Sequence, residues 1–202
     1  GSQNNGTVDS STTSTKLIDA IVANGGPRYE ARWINPVDGM DGGQPGGNIR
    51  QVFLFRPDRD VEFVDTPGGD AVTATGVTGT GKGTHLTASP GRIDPTDAAF
   101  TSSRKPLVGE FQFRGQTIFV IANHFNSKGG DDPLFGRWQQ PVRGSEPQRH
   151  AQAQLVRGFV DELMQHDPAA KVVVAGDIND FEFSETANIL VGDGSLIDLP
   201  RT

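Results

Sequence analysis

Residues 171–175 read Lys-Val-Val-Val-Ala, a strand with apolar side chains on both of its faces. A strand without polar alternation belongs where both faces are covered, so it predicts a central position in a layered α/β domain. A second apolar strand is read over 116–122 (QTIFVIA). Each run breaks abruptly into polar chemistry. The first passes into Asn123-His124-Phe125-Asn126-Ser127-Lys128 and the second into Gly176-Asp177-Ile178-Asn179-Asp180. Sheets of α/β domains commonly present ligands at these carboxyl ends.

The remaining pattern fits that class. Leu17, Ile18, Ile21 and Val22 recur at helical spacing over 14–24, with Ser14 as candidate N-cap and Gly25-Gly26-Pro27 as stop. Short strands are read at 29–34 and 49–56, and 60–64 is expected to pair with the latter as a hairpin. Strands at 106–113 and 116–122 flank a tight Arg114-Gly115 turn. The longest helix is expected over 145–165, with Ser145 and Gln148 as a capping box and Leu155, Val156, Phe159, Val160 and Leu163 as its apolar stripe. A short helix is read at 184–190. Residues 66–103, rich in Gly, Thr, Ser and Asp, read as a mobile loop region.

Composition removes several chemistries. Cysteine is absent, which excludes disulfides, thiolate nucleophiles and Cys-held metals. The net charge of −7 is spread along the chain, so bulk charge does not attract nucleic acid; a polyanion must be held locally. No apolar run approaches the ~20 residues of a membrane span. A near P-loop, Gly76 to Thr84, carries Gly83 where Ser or Thr should meet Mg²⁺ and has no helix behind it, so it reads as a rim loop. Asp38 and Asp41 read as a turn, because the EF-hand spacing is absent.

Asp177 and Asn179 are two residues apart. On an extended backbone both side chains address one phosphate or metal; in an Asx-type turn they serve only the backbone. A carboxylate suits a hard divalent ion, and an amide donates to phosphate oxygen. His124 adds a group that switches charge near neutral pH.

The runs SRKPLVGEFQFRGQTIFVIANHFNSKGGDD, EPQRHAQAQLV and KVVVAGDINDF, with the earlier GGNIRQVFLFRPDRDVEF, together resemble the endonuclease/exonuclease/phosphatase superfamily. The similarity is greatest to its bacterial secreted nuclease-like branch, related to pancreatic-type deoxyribonuclease. The resemblance implies a four-layer α/β/β/α sandwich with mixed, mainly antiparallel sheets. It also implies phosphoester hydrolysis with Mg²⁺ or Mn²⁺ and an extracellular parent protein. It assigns His124 to the scissile phosphate, Asp177 to the metal and the attacking water, and Asn179 to phosphate orientation. Asn123, Arg56 and Lys128 are candidate substrate contacts, and Asp131-Asp132 a candidate structural Ca²⁺ site. The family's metal-binding glutamate and C-terminal Ser-Asp-His motif have no counterpart within 1–202, so the chain is expected to be a portion of that domain and a weak catalyst alone. Nucleic acid is the favoured substrate. A phosphomonoesterase, a lipid phosphodiesterase and a non-catalytic binding module are the alternatives.

Overall fold

The computed structural model describes residues 6–43 and 48–202. Helix α1 (Ser11–Ala23) precedes strands β1 (Glu30–Arg32) and β2 (Phe53–Phe55). Strand β3 (Val61–Phe63) follows, then three two-residue strands, β4 (Val77–Thr78), β5 (His85–Leu86) and β6 (Gly91–Arg92). The chain continues through β7 (Leu107–Phe113), β8 (Gln116–His124), α2 (Glu146–His166), β9 (Lys171–Asp177) and α3 (Glu185–Val191).

The main sheet runs β3-β7-β8-β9, with β6 also paired to β7. Pairing is antiparallel except between β8 and β9, which are parallel and joined through α2. The apolar stripe of α2 explains the layering. Val156, Val160 and Leu163 are fully buried against Val108, Phe119 and Ile121 of the sheet. On the opposite face Leu107 and Phe111 pack with Ile34, Phe53 and Phe55, so the β1–β2 pair forms a second sheet layer. Helices and multiple, mainly antiparallel sheets therefore stack as an α/β sandwich.

The aromatic seam between the layers needs a glycine. Rings of Phe53, Phe63 and Phe111 meet at centroid distances of 4.9–6.2 Å. A Cβ on Gly109 of β7 would lie 2.7 Å from the Phe63 ring and 2.8 Å from that of Phe53. Only hydrogen fits there.

Several expectations are corrected. The 171–175 strand is not central: among the described residues β9 is an edge, and Val173 is 47% exposed. Val172 and Val174 pack on the α2 side, but the apolar cluster on the other face stops at Val120 and Ala122 of β8. Residues 60–64 do not form a hairpin with 49–56. β3 instead pairs with β7, while β2 pairs with β1, because Phe63 and the β2 phenylalanines face each other across the seam. The N-cap of α1 is Ser10, and Ser14 lies inside the helix, its N–H bonded to Ser10 O. Ser145 caps α2 in a helical conformation and makes no capping bond; Gln148 reaches out to the carbonyls of Ala99 and Thr101. Residues 66–103 hold β4, β5 and β6 and bury Leu86, Ile93 and Phe100 in or beside the core.

Candidate functional site

Parallel registration of β8 and β9 sets His124 directly beside Asp177 at the last paired position. Their backbones approach closely just before it. Gly176 has φ +114°, and a Cβ there would sit 2.1 Å from Asn123 O. The ladder then continues one step past His124, as Phe125 N donates to Asp177 O at 2.9 Å. His124 Nε2 and Asp177 Oδ2 lie 3.9 Å apart, the imidazole one-third and the carboxylate nearly two-thirds exposed. Gln51 accepts from the His124 N–H at 3.2 Å and donates to Lys105 O at 3.0 Å once its amide is oriented to satisfy both.

The turn after β9 is not extended. Asn179 has φ +52°, and its N–H donates to Asp177 Oδ1 at 2.8 Å, an Asx turn. Asn179 Nδ2 donates to Phe125 O at 3.0 Å. The same carbonyl accepts from the guanidinium of Arg104. One backbone oxygen thus draws Asn179 and Arg104 to the His124–Asp177 pair.

Arg104 is the functional candidate that sequence reasoning missed. It is 4% exposed, and its Nε has no hydrogen-bond partner. It feels the charges of Asp177 and Asp41. Burial lowers the Arg104 pKa, against the opposing pull of Asp177 and Asp41. His124 is likewise lowered, first by burial and then by Arg104, with Asp177 opposing. A buried cation with spare donor capacity beside a neutral imidazole is suited to an oxyanion. Its flanking residues are anchored elsewhere. Ser103 Oγ accepts from Gln152 at 2.9 Å, and Lys105 Nζ donates to Met40 O and Ser103 O and pairs with Asp41 at 3.1 Å. Arg104 is left pointing at Phe125.

Two buried polar residues of α2 gather the surrounding loops. Gln152 donates to Ala99 O at 2.8 Å and accepts from the Asn126 N–H at 2.8 Å, joining the segment before β7 to the turn after β8. Arg149 lies 3.4 Å from Asp180 and 3.5 Å from Asp131, joining the loops after β8 and β9. Asp180 also accepts from Thr186 at 2.7 Å and pairs with Lys128 at 3.0 Å.

The other predicted residues are placed differently. Asn123 is 3% exposed, its amide donates at 3.3 Å to Ile121 O and Ala175 O, and it alternates to the strand face opposite His124. Lys128 stands at the rim, on Asp180 and the Phe181 ring. Arg56 is forked onto Asp58 at 3.0 and 2.7 Å beside the Pro57–Arg59 turn. Asp131 accepts from Ser145 N and Oγ, and Asp132 from Val142 N. Among the described residues no three His, Asp or Glu side chains gather as a metal cluster.

The sequence model of the Endonuclease/Exonuclease/phosphatase family matches residues 85–191, just over half of the chain. The chain belongs to this family. The matched span contains Arg104, His124, Asp177 and Asn179, every residue of the cluster around Phe125 O. Members of the endonuclease/exonuclease/phosphatase family are phosphoester hydrolases, so the cluster lies in a domain built for that class of reaction. No curated protein and no solved structure matches the chain.

Proposed function

We propose that this site hydrolyses phosphodiester bonds of nucleic acid with a divalent ion, in the manner of the secreted nuclease-like branch, and that the parent protein works outside the cell. The observation that carries the reading is the convergence of a buried, under-bonded Arg104 on the His124–Asp177 pair. In-line displacement at phosphorus requires neutralisation of the phosphoryl oxygens and a positioned water.

Arg104 and His124 supply the first requirement. Burial strengthens the guanidinium's attraction for a phosphate, and the neutral imidazole donates from Nε2 to a non-bridging oxygen. The Asx turn and the bond to Phe125 O engage only Asp177 Oδ1 and one Nδ2 proton of Asn179; the second proton of that amide is the donor that would orient the phosphate beside them. Asp177 supplies the second requirement by accepting a hydrogen bond from the attacking water.

A single hard carboxylate with one oxygen committed to Asn179 N–H suits a largely hydrated Mg²⁺ or Mn²⁺, which takes one or two carboxylates and completes its shell with water and substrate phosphate. Asp177 would hold it, and its chemistry there is charge neutralisation and a lowered pKa for bound water.

Plasmid nicking by the full-length parent protein in Mg²⁺, with release of phosphate from monoesters measured in parallel, tests the reading. His124→Ala and Asp177→Asn are expected to lower nicking by at least about 100-fold each. Intact plasmid together with monoester hydrolysis would overturn the nuclease assignment.

A further inference from the structure

Beside the phosphate-binding cluster the loop after β9 carries two exposed phenylalanines. Phe181 is 46% and Phe183 64% exposed. Their rings are stacked, with centroids 5.1 Å apart and planes 3° from parallel. Lys128 Nζ sits 3.9 Å from the Phe181 centroid while pairing with Asp180 at 3.0 Å. The column therefore spans both turns that frame the site, since Lys128 follows His124 by four residues and Phe181 follows Asp177 by four. Glu182, between the two phenylalanines in sequence, lines the groove beside β9 with Val172 and Asp180.

Exposed aromatic pairs of this kind cost solvation free energy, and a lone apolar contact does not explain their parallel stacking. Parallel rings with an ammonium on the stack and open surface on Phe183 offer what an unpaired base needs: a π-face to lie on and a cation for the adjoining phosphate. Duplex bases are already stacked and present only their edges, so they gain nothing from such a surface. A lipid surface would be met by apolar bulk, not by a column capped with a paired Lys–Asp.

We propose that Lys128, Phe181 and Phe183 form a stacking platform for unpaired bases, which makes single-stranded nucleic acid the substrate class of the adjoining site. This rests on the phosphodiester reading given above and narrows it.

The test is equilibrium binding in EDTA, which needs no turnover. Fluorescence anisotropy compares a short labelled oligothymidylate, an abasic oligomer with the same number of phosphates, and a duplex of equal length. The oligothymidylate is expected to bind roughly tenfold or more tightly than the abasic oligomer. Phe183→Ala is expected to erase that preference, Phe183→Trp to keep it, and Phe183→Leu, equally apolar but without a π-face, to lose it. Phe183 is largely solvent-exposed, so circular dichroism should show all three variants folded. Equal affinity for the base-bearing and abasic oligomers would overturn the platform, as would a preference that Phe183→Leu retains. Binding of phosphatidylcholine vesicles that is lost in Phe183→Ala would also overturn it, in favour of a membrane-facing role. Plasmid nicking that depends on His124 alongside no base preference would remove the platform and leave the phosphodiester reading standing; base-dependent binding without any His124-dependent hydrolysis would do the reverse.

Discussion

His124 Nε2 and Asp177 Oδ2 stand 3.9 Å apart at the paired ends of two parallel strands, close enough for attraction and too far for a hydrogen bond. Both groups are partly exposed, so a substrate oxygen or a water can bridge them from the solvent side. Their coupling is measurable. Burial first, then Arg104, lowers the His124 pKa, while Asp177 raises it in part. In metal-free buffer the imidazole should titrate below the ordinary value of about 6.5 when followed by NMR. Arg104→Gln removes a like charge and should move the midpoint up. Asp177→Asn removes an attractive one and should move it further down. The sign for stability follows: the folded state binds fewer protons than the unfolded chain between the two pKa values, so acidification from pH 7 through 6.5 destabilises the protein. Opposite or null shifts in the two variants would show that these groups do not share one site.

Arg104 is expected to matter to catalysis through charge placed at the phosphoryl oxygens. Arg104→Gln should lower kcat/KM on a phosphodiester by about 100-fold or more, the usual cost of deleting one preorganised donor to a developing oxyanion. Because the side chain also holds Phe125 O, the variant's His124 resonance provides the control. A chemical shift unchanged apart from titration, together with lost activity, indicates a direct role.

Much of the site was legible in the chain. The polar breaks after residues 122 and 175 marked the strand ends that carry His124 and Asp177, because strand periodicity and ligand placement are both local signals. The Asx turn at Asp177–Asn179 was one of two readings, and φ at Asn179 decides for it. Arg104 was not legible. Its neighbours Ser103 and Lys105 are equally polar, and only the three-dimensional anchoring of those two leaves the middle residue facing Phe125. Gln152 and Arg149 were hidden for a different reason. They precede Val156 by four and seven residues and so lie on the buried stripe of α2, at 0% and 1% exposure, but which loop groups they meet is set by segments distant in sequence. The edge position of β9 is not encoded in its apolar composition, which records what a strand tolerates, not which layer reaches it.

Gly176 fixes the approach of β9 to β8. At φ +114° an L-residue is strained, and the added Cβ would collide with backbone, 2.1 Å from Asn123 O and 2.9 Å from Asn123 N, neither of which can rotate aside. Gly176→Ala should cost at least about 2 kcal/mol in urea unfolding, with loss of the His124–Asp177 registration. A variant as stable as the parent would mean that the two strand ends are not so closely apposed.

Asp180 is the last charge that ties the site's two turns together, and its response to acid is predictable. Burial pushes its carboxyl pKa up, but hydrogen bonds from Thr186 and Lys128 outweigh that, and the group ends below its ordinary value. A carboxylate with a depressed folded pKa contributes stability in full above its unfolded pKa, near 4, and loses it as pH falls through the folded value. The thermal midpoint should therefore be insensitive to this group between pH 7 and about 5 and should decline below about pH 4. Asp180→Asn keeps the shape but removes the charge facing Lys128 and Arg149, one of them buried. It should cost about 1–3 kcal/mol at pH 7, and the difference from the parent should shrink in acid as the parent's own carboxylate is protonated. Calorimetry at pH 7 and pH 3 measures both quantities, and an equal deficit at the two pH values would show that the Asp180 charge does not hold the turns together.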